Sequence, residues 1–205
     1  QPVLDSNGIP CLMDKVGKKY YYDKNGNLFG CEQGDYQRVS YIRDDGECCI
    51  DTGLTFTVDE NTRIECKYLN NGSDGELFQI GETYSMPYAG SCWKFMNYAY
   101  NMYIYLSEPG TLVLTYNSLS VTDQSGKVTS IDLSLNDTYT GVLRFFDISK
   151  YDYPGTMEIY YFKIYQSNEL VFDGIPVLDN EGTPCMYDLV TKTFFYGERG
   201  AGEFS

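Results

Sequence analysis

The chain has 205 residues, 42% of them hydrophobic, and a formal charge of −14 with no histidine. That length and apolar share suit one core-forming domain plus a small extra module, and they argue against disorder. The acidic balance repels phosphate backbones and anionic lipid, so nucleic acid is not an expected partner. The absence of histidine removes His-dependent triads and the commonest metal ligand. No run of about 18 apolar residues occurs, so no membrane insertion is expected. The first residues, Gln1-Pro2-Val3-Leu4-Asp5, lack the basic and apolar regions of a signal peptide.

Residues 1–30 read as a small β-hairpin module: an Asp5-x-x-Gly8 turn, then Pro10-Cys11-x-x-Asp14, then the aromatic triplet Tyr20-Tyr21-Tyr22. From residue 36 the chain alternates β-branched and aromatic residues in short runs. Strands are predicted at Val39–Arg43, Cys48–Asp51, Leu54–Val58, Arg63–Leu69, Leu77–Gly81, Cys92–Asn97 and Met102–Leu106. They continue at Leu112–Tyr116, Leu119–Thr122, Lys127–Leu133, Gly141–Phe146, Met157–Tyr165 and Leu170–Phe172. Asp45-Gly46, Asn71-Gly72, Asp74-Gly75, Pro109-Gly110 and Ser125-Gly126 supply turns, and no amphipathic helix of three turns is evident. Residues 36–174 are therefore expected to form an antiparallel two-sheet sandwich or jelly roll.

Residues 175–205 repeat the first module. At one constant offset Pro2, Val3, Leu4, Asp5, Gly8, Pro10, Cys11 and Asp14 match Pro176, Val177, Leu178, Asp179, Gly182, Pro184, Cys185 and Asp188. Val16, Lys18, Tyr22 and Gly26 match Val190, Lys192, Tyr196 and Gly200, while Tyr20 and Tyr21 stand where Phe194 and Phe195 do. A gapless match of this length reads as a tandem array, in which the first copy is the tail of a preceding repeat and adjacent repeats are neighbours in one chain.

The sequence carries no evident catalytic constellation. Paired carboxylates at strand spacing would suit glycoside hydrolysis, but the nearest acidic groups, Asp59-Glu60 with Glu65 and Asp44-Asp45 with Glu47, sit beside turns. No catalytic residue and no enzyme activity are expected. Seven cysteines form no C-x-x-C pair, which disfavours a zinc ribbon; seven is odd, and most read as small buried hydrophobes. Calcium needs several converging oxygens, and the scattered Asp123, Asp132, Asn136, Asp137, Asp147, Asp152 and Asp173 carry no ligand spacing, so no metal or cofactor is indicated.

Aromatic-rich stretches supply the candidate binding residues: Tyr84 and Tyr88 around Pro87, Tyr98 and Tyr100 flanking Asn97 and Asn101, and Tyr151 and Tyr153 beside Pro154-Gly155, the last pair reading as a loop. Such side chains stack on sugars and populate protein–protein hot spots. Strand propensity accounts for Tyr103, Tyr105, Tyr160 and Tyr165, and Trp93 is expected in the core.

The run Gly155-Thr-Met-Glu-Ile-Tyr-Tyr-Phe-Lys-Ile-Tyr165, then Ile175-Pro-Val-Leu-Asp-Asn-Glu-Gly-Thr-Pro-Cys-Met-Tyr-Asp188, Phe194-Phe-Tyr196 and Gly200-Ala-Gly-Glu-Phe204, is distinctive. Near the front, Tyr41-Ile42 and Cys49-Ile-Asp-Thr-Gly53 fit the same pattern. Together they resemble the laminin-G-like, concanavalin A-like jelly-roll domains of gut-bacterial tandem-repeat surface proteins and their phages, over roughly residues 38–205 plus the first tail copy. The resemblance implies a jelly roll that binds carbohydrate or protein outside the cell, a minority of such domains binding calcium. Cys48-Cys49 stands where that pattern usually has a polar residue and an aromatic, which leaves disulfide status open. Gly17-Lys-Lys-Tyr-Tyr-Tyr-Asp-Lys-Asn-Gly26 resembles a single choline- or glucan-binding cell-wall repeat, but it has no Trp and matches the chain's own tail better. The expectation is thus a non-catalytic, adhesin-like recognition module at the bacterial surface. Its target would be a host extracellular protein, with an immunoglobulin as candidate, or a host glycan bound in lectin-like fashion. A carbohydrate-active enzyme and a structural spacer are the alternatives.

Overall fold

The computed structural model describes residues 2–4, 10–13, 19–22, 28–31, 36–43, 49–70, 75–81, 84–89, 92–95, 100–102, 106, 108–135, 137–146, 157–179 and 181–197. These contain strands and turns with no helix, and every paired strand is antiparallel. The chain divides into two units, Gln1–Tyr36 and Gln37–Ser205. In the first, β1 (Pro2–Leu4), β2 (Pro10–Met13), β3 (Lys19–Tyr22) and β4 (Leu28–Cys31) pair in sequence order as a four-stranded meander.

The second unit begins with β5 (Tyr36–Arg38, which straddles the boundary) and β6 (Ile42–Arg43), followed by β7 (Ile50–Val58), β8 (Thr62–Asn70), β9 (Gly75–Ile80), β10 (Tyr84–Ala89), β11 (Cys92–Phe95) and β12 (Tyr100–Met102). After these come β13 (Gly110–Thr115), β14 (Ser118–Thr122), β15 (Val128–Asp132), β16 (Tyr139–Phe145), β17 (Met157–Gln166), β18 (Glu169–Asp179), β19 (Pro184–Asp188) and β20 (Thr193–Tyr196). They form two sheets. The smaller runs β12-β11-β10-β9-β16-β7; the larger runs β15-β14-β13-β8-β17-β18-β19-β20, with β6 also on β17 and β5 on β18.

Period-two burial makes the two sheets one core. In β8, Ile64, Cys66 and Tyr68 are buried while Arg63, Glu65 and Lys67 are not. Successive strand side chains point to opposite faces, so this strand presents an apolar inner and a polar outer side. The inner faces meet through rings. Phe162 of β17 lies 4.9 Å from Phe78 of β9 and 4.9 Å from Phe145 of β16, and Phe172 of β18 lies 5.9 Å from Phe56 of β7. All three contacts are T-shaped or edge-on, the arrangement the aromatic quadrupole favours.

Three local features depart from the predicted elements. The two strands expected at Cys48–Asp51 and Leu54–Val58 are one strand, because Gly53 takes a φ of +63° and the register against β16 shifts between Val142 and Arg144. Thr52 Oγ1 donates to the Leu143 carbonyl across that irregularity (2.8 Å). Residues 84–89, where no strand is predicted, are a strand. The bulge between Ser85 and Pro87 removes the need for a donor from the proline, which lets pairing with β9 continue. Finally, β18 runs unbroken through residue 174 into the second tail copy.

That copy explains its own repeated residues. Asp179 Oδ1 accepts from the backbone N–H of Glu181 and of Thr183 (2.9 and 2.7 Å), and Gly182 adopts a φ of +78°, which an Asp-x-x-Gly turn requires. Asp188 closes the next turn in the same way. Val177, Cys185 and Met186 are completely buried, and Phe195 is nearly so. Cys66 and Cys185 are free thiols, and burial pushes the Cys185 pKa up to about 12.

A candidate recognition face

Of the six sequence-designated tyrosines, Tyr98, Tyr151 and Tyr153 lie outside the described residues. Tyr88 sits in β10 opposite Trp93 of β11, and Tyr100 in β12 opposite Phe95; only their backbone positions are described. Tyr84 is 1% exposed, its ring 5.6 Å from that of Tyr139 in the core. Burial, and after it Tyr139, raises its pKa, so the hydroxyl stays protonated. The reason is alternation: Tyr84 pairs with the inward Ile80, which puts it on the core side of a strand rather than in a loop.

The outer face of the larger sheet carries an array that includes Tyr160 and Tyr165, for which strand propensity alone is expected to account. Directly opposed residues share a face. The pairs Tyr165 with Arg63, Lys163 with Glu65, and Tyr161 with Lys67 therefore line up on the outer side of β17 and β8. A bulge in β17 between Ile159 and Tyr161 brings Tyr160 to that side as well, where it meets Lys67 and Glu158. β6 adds Arg43, and Tyr41 precedes it.

Every member is held by another. The Arg63 guanidinium stacks 4.0 Å over the Tyr165 ring and its Nη1 donates to Glu65 Oε2 at 2.9 Å. Tyr161 Oη donates to Glu65 Oε1 at 2.9 Å. Lys163 Nζ lies 3.4 Å from Asp173 Oδ1 and 5.8 Å from the Tyr161 ring centre. Tyr160 Oη donates to Glu158 Oε2 at 2.7 Å, and Arg43 Nη2 donates to Glu158 Oε1 at 2.6 Å. Tyr41 and Tyr160 are 5.5 Å apart, and Arg43 lies 5.3 Å over Tyr41. Burial first, then the bond to Glu65, pushes the Tyr161 pKa up to about 12; burial and then Glu158 raise that of Tyr160 as well. Both are hydrogen-bond donors at neutral pH, and neither is a base.

The array thus offers four half-buried rings, Tyr41, Tyr160, Tyr161 and Tyr165, interleaved with four cations, Arg43, Arg63, Lys67 and Lys163, and three carboxylates, Glu65, Glu158 and Asp173. In a chain of formal charge −14 this patch carries one more cation than carboxylate. Tyrosine and arginine fixed in place are the residue types that dominate protein interfaces, because little side-chain entropy remains to be lost on binding.

A second, smaller row crosses the other sheet. Asp51 of β7, Arg144 of β16, Gln79 of β9 and Ser85 of β10 are consecutive cross-strand partners and share its outer side. Asp51 Oδ1 accepts from the Gly53 N–H and its Oδ2 from Arg144 Nε, at 2.8 and 2.7 Å. Gln79 and Ser85 are buried, and Ser85 Oγ has no hydrogen-bond partner among the described residues.

Among the described residues no group of three or more Cys, Asp or Glu side chains is placed to hold a metal ion, and no helix is long and apolar enough to cross a membrane. Compared with protein-family models, with curated proteins and with solved structures, the chain matches none.

Proposed function

We propose that the chain is a non-catalytic extracellular recognition module of a bacterial surface protein, and that the tyrosine- and cation-lined outer face of the larger sheet grips a host secreted protein of immunoglobulin type. The single observation behind the reading is the mutually braced array of Tyr41, Tyr160, Tyr161 and Tyr165 with Arg43, Arg63, Lys67 and Lys163. It presents tyrosine rings and a surplus of cations on the outer side of a sheet, which suits a broad protein surface better than a deep small-molecule pocket. The sandwich is read as a concanavalin A-like jelly roll: β8 lies between β13 and β17, and β16 between β9 and β7, so long connections cross between the sheets. No catalytic role is assigned, because both Glu65 and Glu158 are engaged by tyrosine and arginine donors.

The partly exposed Asp51–Arg144 pair on the smaller sheet favours a second reading, a glycan whose hydroxyls meet these two side chains. One experiment separates the two. The immobilised protein is exposed to mucosal secretions before and after enzymatic deglycosylation, alongside the double variant Tyr160→Ala, Tyr161→Ala and the variant Arg144→Ala. The protein reading expects one component retained in both arms, with affinity falling about 30-fold in the tyrosine variant and unchanged in Arg144→Ala. Loss of all binding on deglycosylation, with sensitivity to Arg144→Ala alone, would replace it with the glycan reading. Circular dichroism of each variant confirms that the fold is intact.

A further inference from the structure

The two tail copies share more than sequence. In the first unit Pro2 pairs with Leu12, Val3 with Cys11 and Leu4 with Pro10. In the second unit Pro176 pairs with Met186, Val177 with Cys185 and Leu178 with Pro184. These are the same register at equivalent positions, so the first hairpin of each copy is the same object. The next pairing differs by one residue: Leu12 opposes Tyr20, whereas Met186 opposes Phe195.

The second copy is completed by the sandwich. Its first strand is the continuation of β18, and Val177, Cys185, Met186 and Phe195 are between 0% and 7% exposed. Met186 and Phe195 belong to the same core cluster as Phe56, Phe145 and Phe162. The first copy carries Val3, Cys11, Leu12 and Tyr21 at the equivalent positions. A four-stranded meander of this length has too few residues on one face to build a core for itself. The place on this chain's own sandwich where such a tail fits is filled by residues 175–197.

We propose that residues 1–31 are the docking tail of a second sandwich of the same kind, joined on their N-terminal side as residue 174 joins 175, and that Val3, Cys11 and Leu12 are buried in its core. The unit built from 37–174 then acts as one link in a head-to-tail array, each tail sealing the body that precedes it and tethering the body that follows. The inference stands independently of what the outer face binds.

The test extends the full chain. In one protein residues 32–174 are fused directly before Gln1, so that the first copy must complete the added body. In the other, residues 32–205 are fused there, so that the added body brings its own tail. Under reducing conditions, alkylation of Cys11 is followed by peptide mapping, with Cys185 as the buried reference. In the first protein Cys11 is expected to slow by about 100-fold or more relative to the 205-residue chain, into the range of Cys185, through protection against local opening. In the second it is expected to react as in the 205-residue chain. Equal Cys11 rates in the two proteins would overturn the proposal. So would rapid alkylation of half of the Cys66 peptide in the first protein, since the first copy would then have failed to complete a body.

Discussion

Asp188 is fully buried, and its two carboxylate oxygens accept from the backbone N–H of Asp173, Val190 and Thr191 and from Thr191 Oγ1. Three main-chain donors would lose their acceptor in Asp188→Ala, and a buried donor left unmade costs about 1–3 kcal/mol. The substitution is expected to destabilise the second unit by about 3 kcal/mol in urea unfolding. Val190→Ala, a 42% exposed neighbour, is expected to cost under about 0.5 kcal/mol. A matching small loss in both would remove the turn from the list of stabilising features. The pairing of Asp14 with Asp188 was legible in the sequence; the reason for it was not, since four donors drawn from β18 and the following turn converge only in the fold. Tyr84 fails to read correctly for a related cause. Pro87, three residues on, interrupts the strand pattern, and only the bulge at Ser85–Pro87 carries a buried strand through it. Tyr160, Tyr161 and Tyr165 look like ordinary strand residues one by one, and their meeting with Arg63, Lys67 and Glu65 depends on the β17–β8 register.

Strands were legible as elements wherever alternation was clean. β8, β13, β14, β15, β16 and β17 all cover the predicted segments within a few residues. Their neighbours in the sheets were not legible, because β8 pairs with β13 and β17, partners far along the chain that local pattern does not encode. Two glycines test how elements are joined. A Cβ on Gly141 would stand 2.3 Å from Gly81 Cα and 2.4 Å from Gly81 N, so β16 approaches the end of β9 only because residue 141 is glycine. Gly141→Ala meets backbone that cannot rotate away, and it is expected to cost about 2–3 kcal/mol. Gly53→Ala has open space but a φ of +63°, so only the backbone penalty applies, about 1 kcal/mol. Thermal melts that rank the two the other way would show the β9–β16 approach to be looser than described. Between the sheets, Phe162→Ala removes the ring that meets Phe78, Phe145 and Phe172 and is expected to cost about 3–5 kcal/mol.

At the scale of the whole molecule, the abundance of tyrosine sets the alkaline limit of stability. In an unfolded chain a tyrosine loses its proton near pH ~10. In the fold Tyr161 and Tyr196 are pushed up to about 12, each by burial first and then by donating to a carboxylate, Glu65 and Asp179 respectively. Tyr84, buried beside Tyr139, and Tyr160, bonded to Glu158, are raised too. A raised folded pKa means that the unfolded state releases the proton first. The contribution to stability is therefore complete below pH ~10 and is lost as pH climbs through 12. A chain already at −14 gains further negative charge over the same interval, and self-repulsion adds to the loss. Tyrosinate absorbance followed together with circular dichroism is expected to show two classes: one ionising near pH ~10 with the fold intact, and one ionising only as the strand signal collapses. Phenylalanine at Tyr161 removes its titration but also its bond to Glu65, so Tyr161→Phe is expected to lower stability at pH 7 and flatten its decline above pH ~10. Ionisation of all tyrosines in a single step near pH ~10, with the sheets still folded, would mean that these hydroxyls are solvated and that the outer face is not braced as described.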